Sequence, residues 1–401
     1  MAKSGISIRT TRRNKTMKIL SVFGTRPEAV KMASIVQLLK QTPGIEARVC
    51  ITAQHRQMLD QVLDLFQIKP DYDLDLMRDN QSLAQISASI FTHLDPILAD
   101  FKPDWVLAVG DTTTVVTTSL LAFYRRIKFG HVEAGLRTHN KWHPFPEEIN
   151  RRLATVTADL HFAPTEWSQG NLLREGVDEK KILVTGNPVI DALNFVIKQE
   201  EPKQITALVR QLELETKKLV LVTAHRRENF GEPLENICRA IKEIALRSDV
   251  EIVYPVHLNP NVQEPVNRIL KDVPRITLLP PLDYLPLVHL MKHAKLILTD
   301  SGGLQEEAPS LGVPVLVLRE VTERPEGIQV GALKLVGTET GHIVEEAGRL
   351  LDDPSAYMAM AKAANPYGDG HAAQRIVEGL LRAPETHQDN IERRGTVEAE
   401  V

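Results

Sequence analysis

The chain has 401 residues, 25 % of them charged, with a formal net charge of −4; that length exceeds one ordinary core and suits two domains of roughly 150 to 200 residues. The near balance of charge argues against a general nucleic-acid or membrane surface, so an anionic ligand needs local basic clusters. No apolar run reaches the roughly 20 residues of a membrane span, and Cys50 and Cys238, far apart in apolar stretches, read as reduced packing residues.

Residues 1–16 are polar and basic, with Lys3, Arg9, Arg12, Arg13 and Lys15. The apolar residues 19–23 that follow are too short for a signal-peptide core. Met17 is a second candidate start, the expected location is the cytoplasm, and residues 1–16 and 384–401 are expected to be disordered. Between them, strand-like runs alternate with amphipathic segments: KILSVFG, ARVCIT, WVLAVG, FGHVEAG and HFAP, then KLVLVTAH, VEIVYPVH, ITLLPP, KLILTDSGG and VPVLVL. This βαβα rhythm predicts an α/β protein with parallel sheets covered by helices on both faces. It pauses over residues 186–217, a charged helical stretch after a Gly-Asn-Pro turn, where the domain junction is expected. Two such Rossmann-like, doubly wound domains facing a cleft bind ligands beyond the carboxyl ends of their strands.

The residues at those strand ends carry chemistry. GTRPEAVKM places Gly24 in a tight turn and Pro27 in a first helical turn, with Arg26 and Lys31 around a helix N-terminus that suits phosphate or carboxylate. WVLAVGDTTT puts Asp111 directly after a strand, as either a helix cap or a functional carboxylate. FGHVEAGLRT places Glu133 at the next strand end, with His131 packed in the sheet, and HPFPEEINRR brings Glu147 and Glu148. Carboxylates crowded at neighbouring strand ends are costly unless they share protons or serve as acids and bases. In the second half, LVTAHRRENFGEP sets His225, Arg226 and Arg227 after a strand, a pattern suited to a diphosphate. LILTDSGGLQEEAPSLG joins strand to helix through Asp300, Ser301, Gly302 and Gly303, where glycines let amides approach a pyrophosphate. Glu306 or Glu307 is placed to accept from ribose hydroxyls, and TERPEG offers Arg324 as an anchor. The chain has neither a G-x-G-x-x-G after a strand nor a Walker lysine loop. The D-x-D of DYDLDL is too common a tripeptide to imply a metal.

Together FGTRPEAVKM, TAQHRQMLDQV, GDTTT, GHVEAGLRT, PFPEEINR, TAHRRENFGEP, YPVHLNPNV, LTDSGGLQEEAPSLG, ERPEG and NPYGDG resemble the bacterial non-hydrolysing UDP-N-acetylglucosamine 2-epimerases over residues 17–381. The resemblance implies a glycosyltransferase-B-like pair of domains, residues 17–187 with a returning segment 366–383, and residues 188–365. It implies a homodimer, a UDP-sugar in the cleft, and no cofactor or metal. By motif, Asp111, Glu133 and Glu147 correspond to catalytic carboxylates. Arg26, Lys31, His225, Ser301, Gly302, Gly303, Glu307 and Arg324 correspond to ligand contacts, and Leu282 and Leu287 to positions flanking the uracil. Gln54, Gln57 and His257 correspond to a regulatory site for a second UDP-N-acetylglucosamine. His139 and His143 depart from the small residues usual there, and Pro188 from the usual threonine. A hydrolysing epimerase or a glycosyltransferase is the enzymatic rival, and a non-catalytic UDP-sugar sensor the other.

Overall fold

The computed structural model describes residues 16–53, 56–78 and 81–383. The first half builds a seven-stranded parallel sheet from β1 (Met17–Phe23), β2 (Ile45–Ile51), β3 (Tyr72–Asp73), β4 (Trp105–Val109), β5 (Lys128–Val132), β6 (Leu160–Ala163) and β7 (Ile182–Val184), in the order β3-β2-β1-β4-β5-β6-β7. The second half builds a six-stranded parallel sheet from β8 (Lys218–Thr223), β9 (Val250–Pro255), β10 (Ile276–Leu279), β11 (Ala294–Thr299), β12 (Val315–Val317) and β13 (Leu333–Leu335), in the order β10-β9-β8-β11-β12-β13. The central strands β4 and β8 are buried on both faces, as strands sandwiched between helix layers must be. The expected pair of doubly wound sheets is therefore present. The sequence runs missed β3, β7 and β13, which are two or three residues long and lie at sheet edges.

In each sheet the order reverses once, between β1 and β4 and between β8 and β11. Such reversals open a crevice at the carboxyl ends of the strands. The stretch expected to be one long helix is two, Pro188–Val196 and Lys203–Gln211, because Pro202 disfavours a helical conformation in the residue before it. The helix Pro188–Val196 packs on Arg26–Gln41 from the first half and on Gly302–Ser310 from the second, while the last helix, Ala372–Arg382, returns to Arg26–Gln41. Asp191 fixes that return by accepting from the amides of Ala372 and Ala373 at 3.1 and 2.9 Å. Among the described residues no helix is long and apolar enough to cross a membrane.

Candidate active site

One cleft of about 430 Å³ lies between the halves, at both reversals of strand order. Arg26, Lys31, Asp111, Glu133, Glu147, His225, His257, Leu282, Leu287, Ser301, Gly302, Gly303, Glu307 and Arg324 all line it. Gln54 falls outside the described residues, as does the side chain of Gln57.

From β1 the chain turns through Gly24 into the helix Arg26–Gln41. Thr25 and Glu28 form a capping box there, and buried Glu28 accepts from the amides of Gly24 and Thr25 at 2.9 and 2.7 Å. Thr112, beyond β4, donates to the same carboxylate at 2.5 Å, locking the two strand ends together. The cap of the helix Thr113–Tyr124 is Thr112 rather than Asp111. That frees the Asp111 carboxylate for Arg151, whose Nη2 lies 2.5 Å away.

Glu133 follows β5 in the left-handed region at φ +61°, which is strained for a residue with a side chain. Gly110 beside it is also left-handed, and a Cβ there would come within 3.3 Å of Glu133 Oε2. Lys31 Nζ lies 2.6 Å from both Glu133 oxygens. The ammonium expected to contact a phosphate or carboxylate ligand is therefore committed to a carboxylate of the chain itself. Burial alone would push Glu133 up, but Lys31, Arg324 and the Asn187 amide hold it below the ordinary glutamate value. Glu147, half-buried at the start of the helix Glu147–Thr157, is pushed up by burial, with the nearby Asp111 adding to the effect. Its neighbour Glu148 is fully buried and structural, accepting from the amides of Thr138 and His139 at 3.0 and 3.1 Å.

In the second half, Asp300 braces the loop after β8 by accepting from the amides of His225 and Arg226, each at 2.8 Å. Burial lowers the pKa of His225, keeping the ring neutral near pH 7, and it stacks on His257 with ring centroids 5.2 Å apart. Ser301 precedes the helix Gly302–Ser310 without capping it through its side chain, so first-turn amides face the cleft as an anion cradle. A Cβ at Gly302 would lie 2.7 Å from Arg324 Nη1, so a side chain there would have to displace the guanidinium. Arg324 is buried and ion-paired with Glu306 and Glu323. Glu307 accepts from the Tyr284 hydroxyl at 2.5 Å, while Arg26 Nη1 donates across the cleft to the Leu282 carbonyl at 3.2 Å.

The family model for UDP-N-acetylglucosamine 2-epimerase matches residues 37–381. The chain belongs to the UDP-N-acetylglucosamine 2-epimerase family. The 2-epimerase of Salmonella typhimurium is 57 % identical over 373 residues, covering 91 % of this chain and 98 % of that protein. The crystal structure of a Neisseria meningitidis UDP-GlcNAc 2-epimerase bound to UDP-GlcNAc matches with a TM-score of 0.86 at 52 % identity, over 92 % of this chain and all of that one. A Methanocaldococcus jannaschii UDP-GlcNAc 2-epimerase in complex with UDP-GlcNAc and UDP matches with a TM-score of 0.79 at 34 % identity, over 92 % of this chain and 100 % of that one.

Several residues of this epimerase site escaped the sequence reading. Arg151 and Tyr284 line the cleft, and Asn187 stands behind it. Of the two adjacent glutamates offered for the ribose hydroxyls, helical rotation turns Glu307 to the cleft and Glu306 away from it, onto Arg324 and Asn187.

Proposed function

We propose that this chain interconverts UDP-N-acetylglucosamine and UDP-N-acetylmannosamine by inverting C2 through elimination and re-addition of UDP. The observation that carries this reading is one cleft holding both an anion cradle, at Ser301, Gly302 and Gly303, and three carboxylates in unlike environments, Asp111, Glu133 and Glu147. The C2 proton is not next to a carbonyl, so either a neighbouring hydroxyl is oxidised or the anomeric leaving group departs. Departure needs what the cleft offers: amides, a neutral His225 and Arg26 at the diphosphate as negative charge develops there.

One carboxylate accepts the C2 proton as the C1–O bond breaks, giving 2-acetamidoglucal and UDP. UDP then adds back at C1 while a proton reaches C2 from the opposite face. Glu133, held ionised beside Lys31, suits the acceptor role, and Glu147, pushed up by burial, suits the donor. The roles exchange in the reverse direction. Leu282 and Leu287 flank the uracil, Glu307 takes the ribose hydroxyls, and Arg324 backs the phosphate cradle. His257, with Gln54 and Gln57, binds a regulatory UDP-N-acetylglucosamine, and its stacking on His225 supports communication with the reacting site.

The product serves as a surface polysaccharide precursor, and the enzyme works as a homodimer in the cytoplasm. Exposed Phe123, Tyr124, Leu153 and Val156 support a dimer face, and two free, buried cysteines suit a reducing compartment. Incubation with UDP-N-acetylglucosamine, followed by proton and phosphorus NMR, tests the reading. UDP-N-acetylmannosamine should appear, with traces of UDP and 2-acetamidoglucal. Free N-acetylmannosamine as the product, or unchanged substrate, would contradict it.

A further inference from the structure

Asn187 stands where the chain leaves the first sheet. Its N–H donates to the Tyr367 carbonyl at 2.6 Å, and a Cβ on the preceding Gly186 would come within 3.2 Å of the Gly368 Cα. The outgoing and returning crossings between the halves are therefore tied together at this residue. The Asn187 side chain is fully buried and does not line the cleft. Its Oδ1 accepts from the Val189 amide at 3.2 Å, capping the helix Pro188–Val196. Its Nδ2 donates both to Glu133 Oε1 at 2.8 Å and to Glu306 Oε2 at 2.5 Å. Glu133 comes from the first sheet, whereas Glu306 comes from the helix that follows β11 in the second.

Two buried carboxylates brought this close repel, and burial together with Glu133 pushes Glu306 up to about 7; the direct ion pair of each lies on its own side, Lys31 on Glu133 and Arg324 on Glu306. A primary amide carries two N–H donors and no charge, so it serves both acceptors at once. Serine offers a single donor, and aspartate adds a third negative charge. Pro188, where the resemblance has threonine, restricts the residue before it to extended backbone; Asn187 has that conformation, at φ −93° and ψ 126°.

We propose that Asn187 is a positioning residue for the epimerisation, whose amide joins Glu133 to Glu306 and fixes Glu133 in its working orientation while the two halves stand as described. The inference rests on the reading of Glu133 as a catalytic carboxylate. The test uses the full chain with Asn187→Ser and Asn187→Asp, since both residues retain the helix cap. Initial rates from UDP-N-acetylglucosamine are measured across pH, alongside UDP affinity by calorimetry and thermal unfolding. Asn187→Ser should lower kcat on the order of 10²-fold, leave UDP affinity unchanged, and move the acid limb of the kcat profile to higher pH. That shift follows because the lost hydrogen bond favoured the ionised form of Glu133. Asn187→Asp should lose comparable activity and recover part of it on acidification, as three carboxylates come to share protons.

A fall in unfolding temperature with kcat and the acid limb unchanged in both variants would overturn the proposal and leave Asn187 purely structural. If the serine variant does not fold, the aspartate variant, matched in size, makes the same comparison. An inactive wild type overturns the proposed reaction and this inference with it. An active wild type beside kinetically unaltered variants overturns the inference alone.

Discussion

Burial pushes Glu307 up from the ordinary glutamate value of 4.5 to about 7, opposed in part by the Tyr284 hydroxyl and raised further by Glu306. Between those two pH values the folded chain keeps a proton that the unfolded chain has released. The unfolded state binds fewer protons, so stability falls as pH rises through this window. Below 4.5 both states are protonated and the contribution is intact; above about 7 it is lost. At ~1.4 kcal/mol per pH unit, the loss is about 3 kcal/mol. Glu307→Gln stays neutral at every pH, and its amide oxygen still accepts from Tyr284. The stability difference between wild type and Glu307→Gln, from urea unfolding of the ligand-free chains followed by circular dichroism, should therefore swing by about 3 kcal/mol toward the variant between pH 4.5 and 8. A difference that stays constant over this range would refute the reasoning. Ribose hydroxyls donating to Glu307 favour its carboxylate, so UDP binding near pH 7 should release protons. Calorimetry in buffers of unlike ionisation enthalpy reads that release.

Glu133→Gln and Asp111→Asn should each lower turnover by at least about 10²-fold while leaving UDP affinity little changed; near-normal turnover in both would remove them from the chemistry. Arg324→Ala should cost about 3–5 kcal/mol of stability, because it strands Glu306 as a buried carboxylate without its ion-pair partner and leaves Glu323 with Arg319 alone. It should also weaken UDP binding, and thermal unfolding together with calorimetry separates the two effects. If His257 belongs to a regulatory site, the reverse reaction from UDP-N-acetylmannosamine alone should be slow and accelerate on adding UDP-N-acetylglucosamine; full reverse activity without it contradicts that role.

Much of this site was legible because the fold places ligands beyond strand ends, and the strands themselves were legible as apolar runs. Arg26, Asp111, Glu133, His225 and the turn at Ser301 all followed from that one rule, and all line the cleft. What sequence could not supply was pairing. Whether Lys31 faces a phosphate or Glu133, or Glu306 a ribose or Arg324, depends on how helices from separate halves meet. Asp111 shows the limit within a single turn, since moving the cap one residue, to Thr112, changes what its carboxylate can do. Asn187 read only as part of a Gly-Asn-Pro turn; its link between the carboxylates exists only because Glu133 and Glu306 converge on it from different halves.

The central claim is that C2 loses its proton to a carboxylate and regains one from the opposite face as UDP leaves and returns. Carboxylate protons exchange with solvent, so the most direct measurement is epimerisation of UDP-N-acetylglucosamine in D₂O, with no added nicotinamide, followed by NMR at C2. UDP-N-acetylmannosamine carrying deuterium at C2 is the result expected. Product retaining protium at C2, or activity that requires added nicotinamide, would contradict the elimination route and with it the roles given to Asp111, Glu133 and Glu147.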